Sequence, residues 1–140
     1  MAILKVKRKS EWINRVRNIG IYLDGVRLGT VSNGETAEFE IAEGAHQLKA
    51  KIDWCRSNEE SFTVSAGETY SIIVSAFKYA NVIIGAELFF LFTHIILKNT
   101  QGIGYIIWFA VPFFLCNVYY ATIGYNKYLL IKEDNLSLSF

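Results

Sequence analysis

The sequence predicts a small all-β sandwich of about seven antiparallel strands followed by a two-helix transmembrane hairpin. Three observations carry that expectation. The 140 residues are 52% hydrophobic and 15% aromatic but only 19% charged. An ordinary soluble domain is about 25% charged, so part of this chain is built for a non-aqueous solvent. The charges are also unevenly placed: residues 1–17 carry six basic groups against Glu11, residues 18–77 four basic against nine acidic, and the remainder four basic against three acidic. Finally, the hydrophobic pattern changes from short alternations in the first half to long apolar runs in the second. A single proline among so many apolar residues excludes disordered and collagen-like chains.

Residues 1–17 form a basic N-terminal arm, within which Ile3 to Lys7 can add an edge strand. Lys5, Lys7, Arg8, Lys9, Arg15 and Arg17, with Trp12, Ile13 and Val16 interleaved, suit the headgroups of an anionic bilayer. Each basic residue held close to such a surface contributes about 1 kcal/mol. The competing account is a solvated edge whose charges block strand pairing. Nucleic acid is not expected as a partner, because the acidic body behind the arm would repel phosphate.

Residues 18–76 read as the β domain. Ile19 to Leu23 and Val26 to Val31 flank Asp24-Gly25, a pair suited to a type I′ hairpin turn, where both central residues need positive φ. Further turns are expected at Ser32 to Glu35, Ala42 to Ala45 and Ser65 to Glu68, separating strands at 37–41, 46–52, 61–64 and 69–74. Strict alternation over 46–52 places His46, Leu48, Ala50 and Ile52 on one face and Gln47, Lys49 and Lys51 on the other. A domain this small buries a limited core, so Phe39, Trp54 and Phe62 are expected to fill it.

The stretches IYLDGVRLGT (21–30), IAEGAHQLKAK (41–51) and FTVSAGETYSIIV (62–74) resemble the PEGA-type β domains of bacterial envelope proteins. The likeness covers about residues 19–75. It departs from the family at Ala42, where proline is usual, and at Ile52 to Cys55, where a G-Y pair is common. It implies a binding or anchoring module, in some members linked to cell-wall carbohydrate. A β domain joined to a helical hairpin also resembles small bacterial membrane proteins.

Residues 79–125 form the hairpin, with spans at about 80–97 and 103–123. About 20 apolar residues at ~1.5 Å rise cross a hydrocarbon core of ~30 Å. The second span carries no charge, and a membrane helix tolerates Pro112 by re-satisfying the freed carbonyl locally. The first span is less pure, holding Glu87, Thr93 and His94. An ionised carboxylate near a span centre costs on the order of 2.5–3.5 kcal/mol, which the surrounding Leu, Phe and Ile offset. Lys98 to Gly102 is a short polar connection, and Tyr79, Tyr105, Trp108, Tyr119, Tyr120 and Tyr125 suit interfacial depths. Residues 126–140 form a tail with apolar alternation that either frays, docks a partner or adds a strand to the β domain.

Lys78, Lys127 and Lys132 would lie on one side of the membrane and Lys98 on the other, which orients both termini toward the cytoplasm. The N-terminus lacks the charge-then-apolar order of a signal peptide, and Cys55 has no partner in the β domain, in keeping with a reducing compartment. The expected location is therefore the bacterial inner membrane.

No constellation of catalytic residues stands out. The two histidines and two cysteines lack metal-ligand spacing, so no metal or cofactor is expected. The most informative residues are intramembrane: Glu87 and His94 share one helix face. With Tyr79 level with Gly124, Glu87 falls opposite Cys116 and Asn117, and His94 near Trp108 and Phe109. Glu87, His94 and Asn117 form either a packing clasp or a proton or ion relay. The expected function is a non-enzymatic interaction or adaptor module, with a protein partner or a second copy of the chain. The alternatives are a small oligomeric channel or transporter subunit, or an exported carbohydrate-binding protein of the opposite topology.

Overall fold

The structure, a computed structural model, describes residues 1–12, 14–53 and 55–134. Ile13, Trp54 and residues 135–140 lie outside the described residues, and with them the expectations placed on Trp54, on Ile13 and on the end of the tail.

Period-two alternation sets the first strand, β1 (Ala2–Arg8): Ala2, Leu4, Val6 and Arg8 turn inward and are buried, while Ile3 and Lys7 face outward. The following strands are β2 (Ile19–Leu23), β3 (Val26–Val31), β4 (Thr36–Ile41), β5 (Gly44–Ile52), the short β6 (Cys55–Arg56), β7 (Glu60–Val64) and β8 (Thr69–Ala76). They form two sheets. One has the order β4-β1-β8-β9, the last being β9 (Leu129–Glu133); the other runs β3-β2-β5-β6, with β7 also paired to β5. Leu4, Val6, Ile72 and Val74 from the first sheet meet Ile19, Ile21, Leu48 and Ala50 from the second in one core. Phe62 is buried and stacks on Tyr70 with ring centroids 4.1 Å apart, while Phe39 is only partly buried at its margin. The Asp24-Gly25 turn has the positive φ values its sequence demands, 49° and 82°.

One expectation is corrected here and one open alternative is resolved. The segment read as an edge strand within a basic arm is an interior strand: β1 pairs antiparallel with β4 on one side and parallel with β8 on the other. The sheet is therefore not purely antiparallel. Its charges are compatible with this because Lys5 and Lys7 project from the outer face, where Lys5 sits 3.4 Å from Glu38. Of the three readings of the segment from residue 126, the added strand is the one found: it supplies β9, which pairs antiparallel with β8, Leu129 opposite Ala76. Leu129 and Ile131 enter the core. With β6 and β9 added, the described residues hold nine strands.

The hairpin is accordingly an insertion between two paired strands, not a C-terminal appendage. Its first helix, α1 (Ala80–Gln101), runs past the expected end at 97. Gly102 stops it with φ 70°, its N–H and that of Ile103 taking the carbonyls of Lys98 and Leu97. The return segment is not one continuous α-helix. Tyr105–Ala110 is a 3₁₀ run, and only Val111–Thr122 is α-helical (α2), with Pro112 in its first turn, where no intrahelical N–H is lost. Six residues at about 2.0 Å and twelve at about 1.5 Å give roughly 30 Å. The 3₁₀ stretch thus lets 18 residues match the ~33 Å of the 22-residue α1. Both segments are long and apolar enough to cross a membrane.

Between the helices Phe90 stacks against Phe109 and Phe113 at 6.0 and 5.8 Å. At the base, Phe77 stacks on Tyr120 at 4.2 Å and abuts Tyr128, and its N–H donates to the Tyr128 carbonyl at 3.0 Å. Outward faces of the hairpin are apolar and exposed, among them Phe89, Phe92, Ile96, Phe114 and Leu115.

Candidate functional site at the hairpin and its base

The β1 strand ends beside the point where the hairpin emerges, Arg8 being level with Val74 of β8. Alternation would have placed an apolar residue there. Instead the buried Arg8 guanidinium donates to the carbonyls of Val31 at 3.1 Å, Asn14 at 2.8 Å and Arg17. It thereby gathers the 9–18 loop against the edge of the sandwich. Burial lowers the Arg8 pKa from its ordinary value, with the nearby Glu11 charge opposing. Glu11 extends the arrangement: both carboxylate oxygens accept the Ala76 N–H, at 3.1 and 3.0 Å, and its own N–H donates to Asn33 Oδ1 at 3.0 Å. Asn14 Nδ2 donates to the Tyr128 hydroxyl at 2.9 Å. One loop therefore joins β1, the β3–β4 turn, the end of β8 and the start of β9.

This architecture divides the residues expected at lipid headgroups. Arg8 is corrected: its guanidinium is bound inside the protein and is not offered to a surface. Lys5 is level with Ser71 and Lys7 with Ile73. At ~3.3 Å per residue, the path along β8 to Phe77 is about 20 and 13 Å respectively. The Lys5 path is well beyond a Debye length of about 8 Å, and Lys5 already faces Glu38; Lys7 is level with Lys132, the two flanking Ile73. Lys9, Trp12 and Arg15 are exposed at the hairpin end of the domain. Arg17 lies there too, paired with Asp53.

Beneath the domain, Arg17, Asp53, Cys55 and Tyr128 line a cavity of about 210 Å³ against Asn117 and Ala121 of α2. Burial raises the Cys55 thiol, with Arg17 opposing, and burial likewise raises the Tyr128 phenol. Both groups are held protonated, which suits packing and hydrogen bonding more than nucleophilic chemistry.

Within the hairpin, Asn117 Nδ2 donates to Glu87 Oε1 at 2.7 Å. His94 does not join them. It lies seven residues on, about 10.5 Å along the helix, beyond the Phe90 aromatic stack, and its buried Nδ1 has no partner among the described residues.

A second polar constellation sits on the β domain, where the sequence placed His46 only by its alternation with Gln47. His46 places Nδ1 2.7 Å from Asp24 Oδ2 and Nε2 2.9 Å from the Ala42 carbonyl. Asp24 Oδ1 also accepts the Gln47 N–H at 2.8 Å. With acceptors at both ring nitrogens, the imidazolium is favoured: the Asp24 hydrogen bond, then that to Ala42, raises the His46 pKa above 6.5. The same contact, with Gln47, lowers that of Asp24. The signal was the Asp24-Gly25 turn facing the start of β5, visible only once the strands are paired.

Among the described residues no three His, Cys, Asp or Glu side chains form a group able to hold a metal ion. Compared with known proteins, the chain matches no family model and no curated sequence.

Proposed function

We propose that this chain is a membrane-anchored interaction module: a cytoplasmic β domain held at the bacterial inner membrane by the hairpin, acting without catalysis on a protein partner or a second copy. The observation that carries this reading is the pairing of β8 with β9 around the hairpin. Both ends of the insertion leave one sheet edge, so an even number of crossings returns the chain to the same side. The exposed apolar faces of α1 and the return segment supply the surface that a bilayer would cover.

The relay reading of Glu87, His94 and Asn117 is the rival. Against it stands the short Asn117–Glu87 hydrogen bond, which completes a pair between neighbouring helices and lowers the cost of each polar group in lipid. The likeness to PEGA-type domains, which would favour an exported carbohydrate-binding protein, spans about 19–75 and so omits β1, an interior strand of this sandwich.

Topology tests the proposal. Ala66 lies exposed in the turn between β7 and β8, at the end of the sandwich away from the hairpin. An Ala66→Cys variant in a Cys55→Ser, Cys116→Ser background should react with a membrane-impermeant thiol reagent only after spheroplasts are permeabilised. Labelling of intact spheroplasts would place the domain outside and overturn the proposal.

A further inference from the structure

The base of the hairpin carries a cleft that neither the clasp nor the core accounts for. It measures about 360 Å³ and opens where β8 gives way to α1. Three lysines from three separate elements converge on it: Lys9 just after β1, Lys78 between β8 and α1, and Lys132 on β9. All three are exposed, and among the described residues none is in an ion pair. Ser10 and Ser75 add hydroxyls to the lining. Among the described residues the one carboxylate lining the cleft, Glu11, is directed at the Ala76 N–H, accepting it through both oxygens. That interaction turns the acid toward the protein backbone, so that three lysines face one engaged carboxylate and the lining is net basic.

The charges of the whole domain are graded along the strands in the same sense. Lys9, Arg15, Arg17, Arg56, Lys78 and Lys127 lie toward the hairpin against Glu11, Glu35 and Asp53, the last paired with Arg17, whereas Asp24, Glu40, Glu43 and Glu68 lie toward the opposite end with Arg27. Soluble anions would meet a basic base and an acidic crown with no preference for depth. An anion fixed in the plane where a hairpin enters a bilayer meets only the basic end.

We infer that the cleft walled by Lys9, Lys78 and Lys132 binds the headgroup phosphate of an anionic phospholipid. The inference rests on the membrane-anchored reading above and extends it by naming the lipid class that the base recognises. The cleft adjoins Phe77, Ala80 and Asn81, where the first turn of α1 begins, so a phosphate seated among the lysines would leave its acyl chains free to run along the exposed Leu88 and Phe92, which share the Asn81 side of the helix. A soluble phosphate would draw on the same lysines but gain nothing from that apolar continuation.

The test uses the full chain, isotopically labelled in neutral detergent micelles and followed by backbone amide NMR. It would be titrated separately with short-chain phosphatidylglycerol, short-chain phosphatidylcholine and inorganic phosphate. Phosphatidylglycerol should shift the amides of Ser10, Ser75 and Lys78 saturably, and phosphatidylcholine should not. Lys9→Gln and Lys132→Gln should each weaken that response about fivefold, and together roughly thirtyfold, with the remaining spectrum unchanged as the control for folding. Absence of the shifts with phosphatidylglycerol, or equal shifts with phosphatidylcholine, would overturn the inference. Equal affinity for inorganic phosphate would also overturn it, in favour of a free-anion site. Thiol labelling of Ala66→Cys reports the anchor independently, so a correctly oriented chain without these shifts loses the lipid site alone.

Discussion

Replacing Arg8 by methionine removes three hydrogen bonds and one buried charge while keeping a similar volume. A hydrogen bond to a charged group contributes about 1.5–3 kcal/mol, and a buried acceptor stripped of its donor retains the desolvation cost. The Val31 carbonyl is in the buried contact and loses close to the full amount, about 2 kcal/mol. The Asn14 and Arg17 carbonyls are partly buried and can recover water, so each loses about 0.5 kcal/mol. Relief from holding a desolvated guanidinium offsets part of that sum, leaving a net loss of about 2 kcal/mol. In a β domain of this size that corresponds to a fall in Tm of about 8–16 °C. Urea unfolding of the full chain in detergent, followed by near-ultraviolet circular dichroism, would measure it. The loop should respond more than the core, because all three carbonyls lie on or beside it; trypsin cleavage after Arg15 should accelerate about tenfold. Arg8→Lys keeps the charge but not the planar fork, and should recover less than half of the loss. If Arg8→Met unfolds within about 0.5 kcal/mol of the parent and its loop is cut no faster, Arg8 does not organise the base.

The His46 pair predicts a pH dependence of stability. His46 has its pKa raised in the folded state by Asp24 and the Ala42 carbonyl, so its contribution is fully present below 6.5 and declines as pH rises through the folded value. Asp24 has its pKa lowered, so its contribution is present above 3.8 and is lost as pH falls through the folded value. Unfolding midpoints should therefore fall from about pH 6 to 8, and His46→Gln should flatten that limb; an unchanged slope in the variant would refute the assignment. In the hairpin, Glu87→Gln preserves an acceptor for Asn117 and should leave thermal stability in detergent within about 0.5 kcal/mol, whereas Glu87→Leu should cost about 1 kcal/mol. Proton flux into liposomes should be the same for the parent and for Glu87→Gln, and a loss of flux in the latter would favour the relay.

The parts of this fold legible in the sequence are those written in neighbouring residues. Asp24-Gly25 specifies its turn because two adjacent residues must both adopt positive φ. The two apolar segments are legible because length and hydropathy are local properties, and an antiparallel hairpin then brings Glu87 opposite Asn117 from arithmetic alone. What escaped depends on partners far away in the chain. Ala2, Leu4 and Val6 alternate as a strand should, but six basic residues in the first 17 made the segment look like a surface arm. Nothing local reveals that β8, more than 60 residues later, will lie parallel beside it. The buried Arg8 was hidden for the same reason: its acceptors are carbonyls, which carry no side-chain signature.

β1, expected at an edge, and β9, one of three readings of the tail, are the strands that connect the domain to its hairpin. β1 and β9 flank β8 on either side, so the strand that leads into α1 is held by both ends of the described chain. A force on the hairpin is therefore borne first by β8, with ladders to β1 and β9 resisting it in parallel. An appended hairpin, attached through one strand, would load a single connection and could peel that strand away. Tyr128 reinforces this junction, its carbonyl accepting from Phe77 and its hydroxyl from Asn14. The arrangement makes the orientation of the β domain relative to the hairpin a property of the core itself, and it keeps Lys9, Lys78 and Lys132 in fixed relation although each comes from a different element. The proposed lipid site at the base and the rigidity of the hairpin junction thus depend on the same three strands.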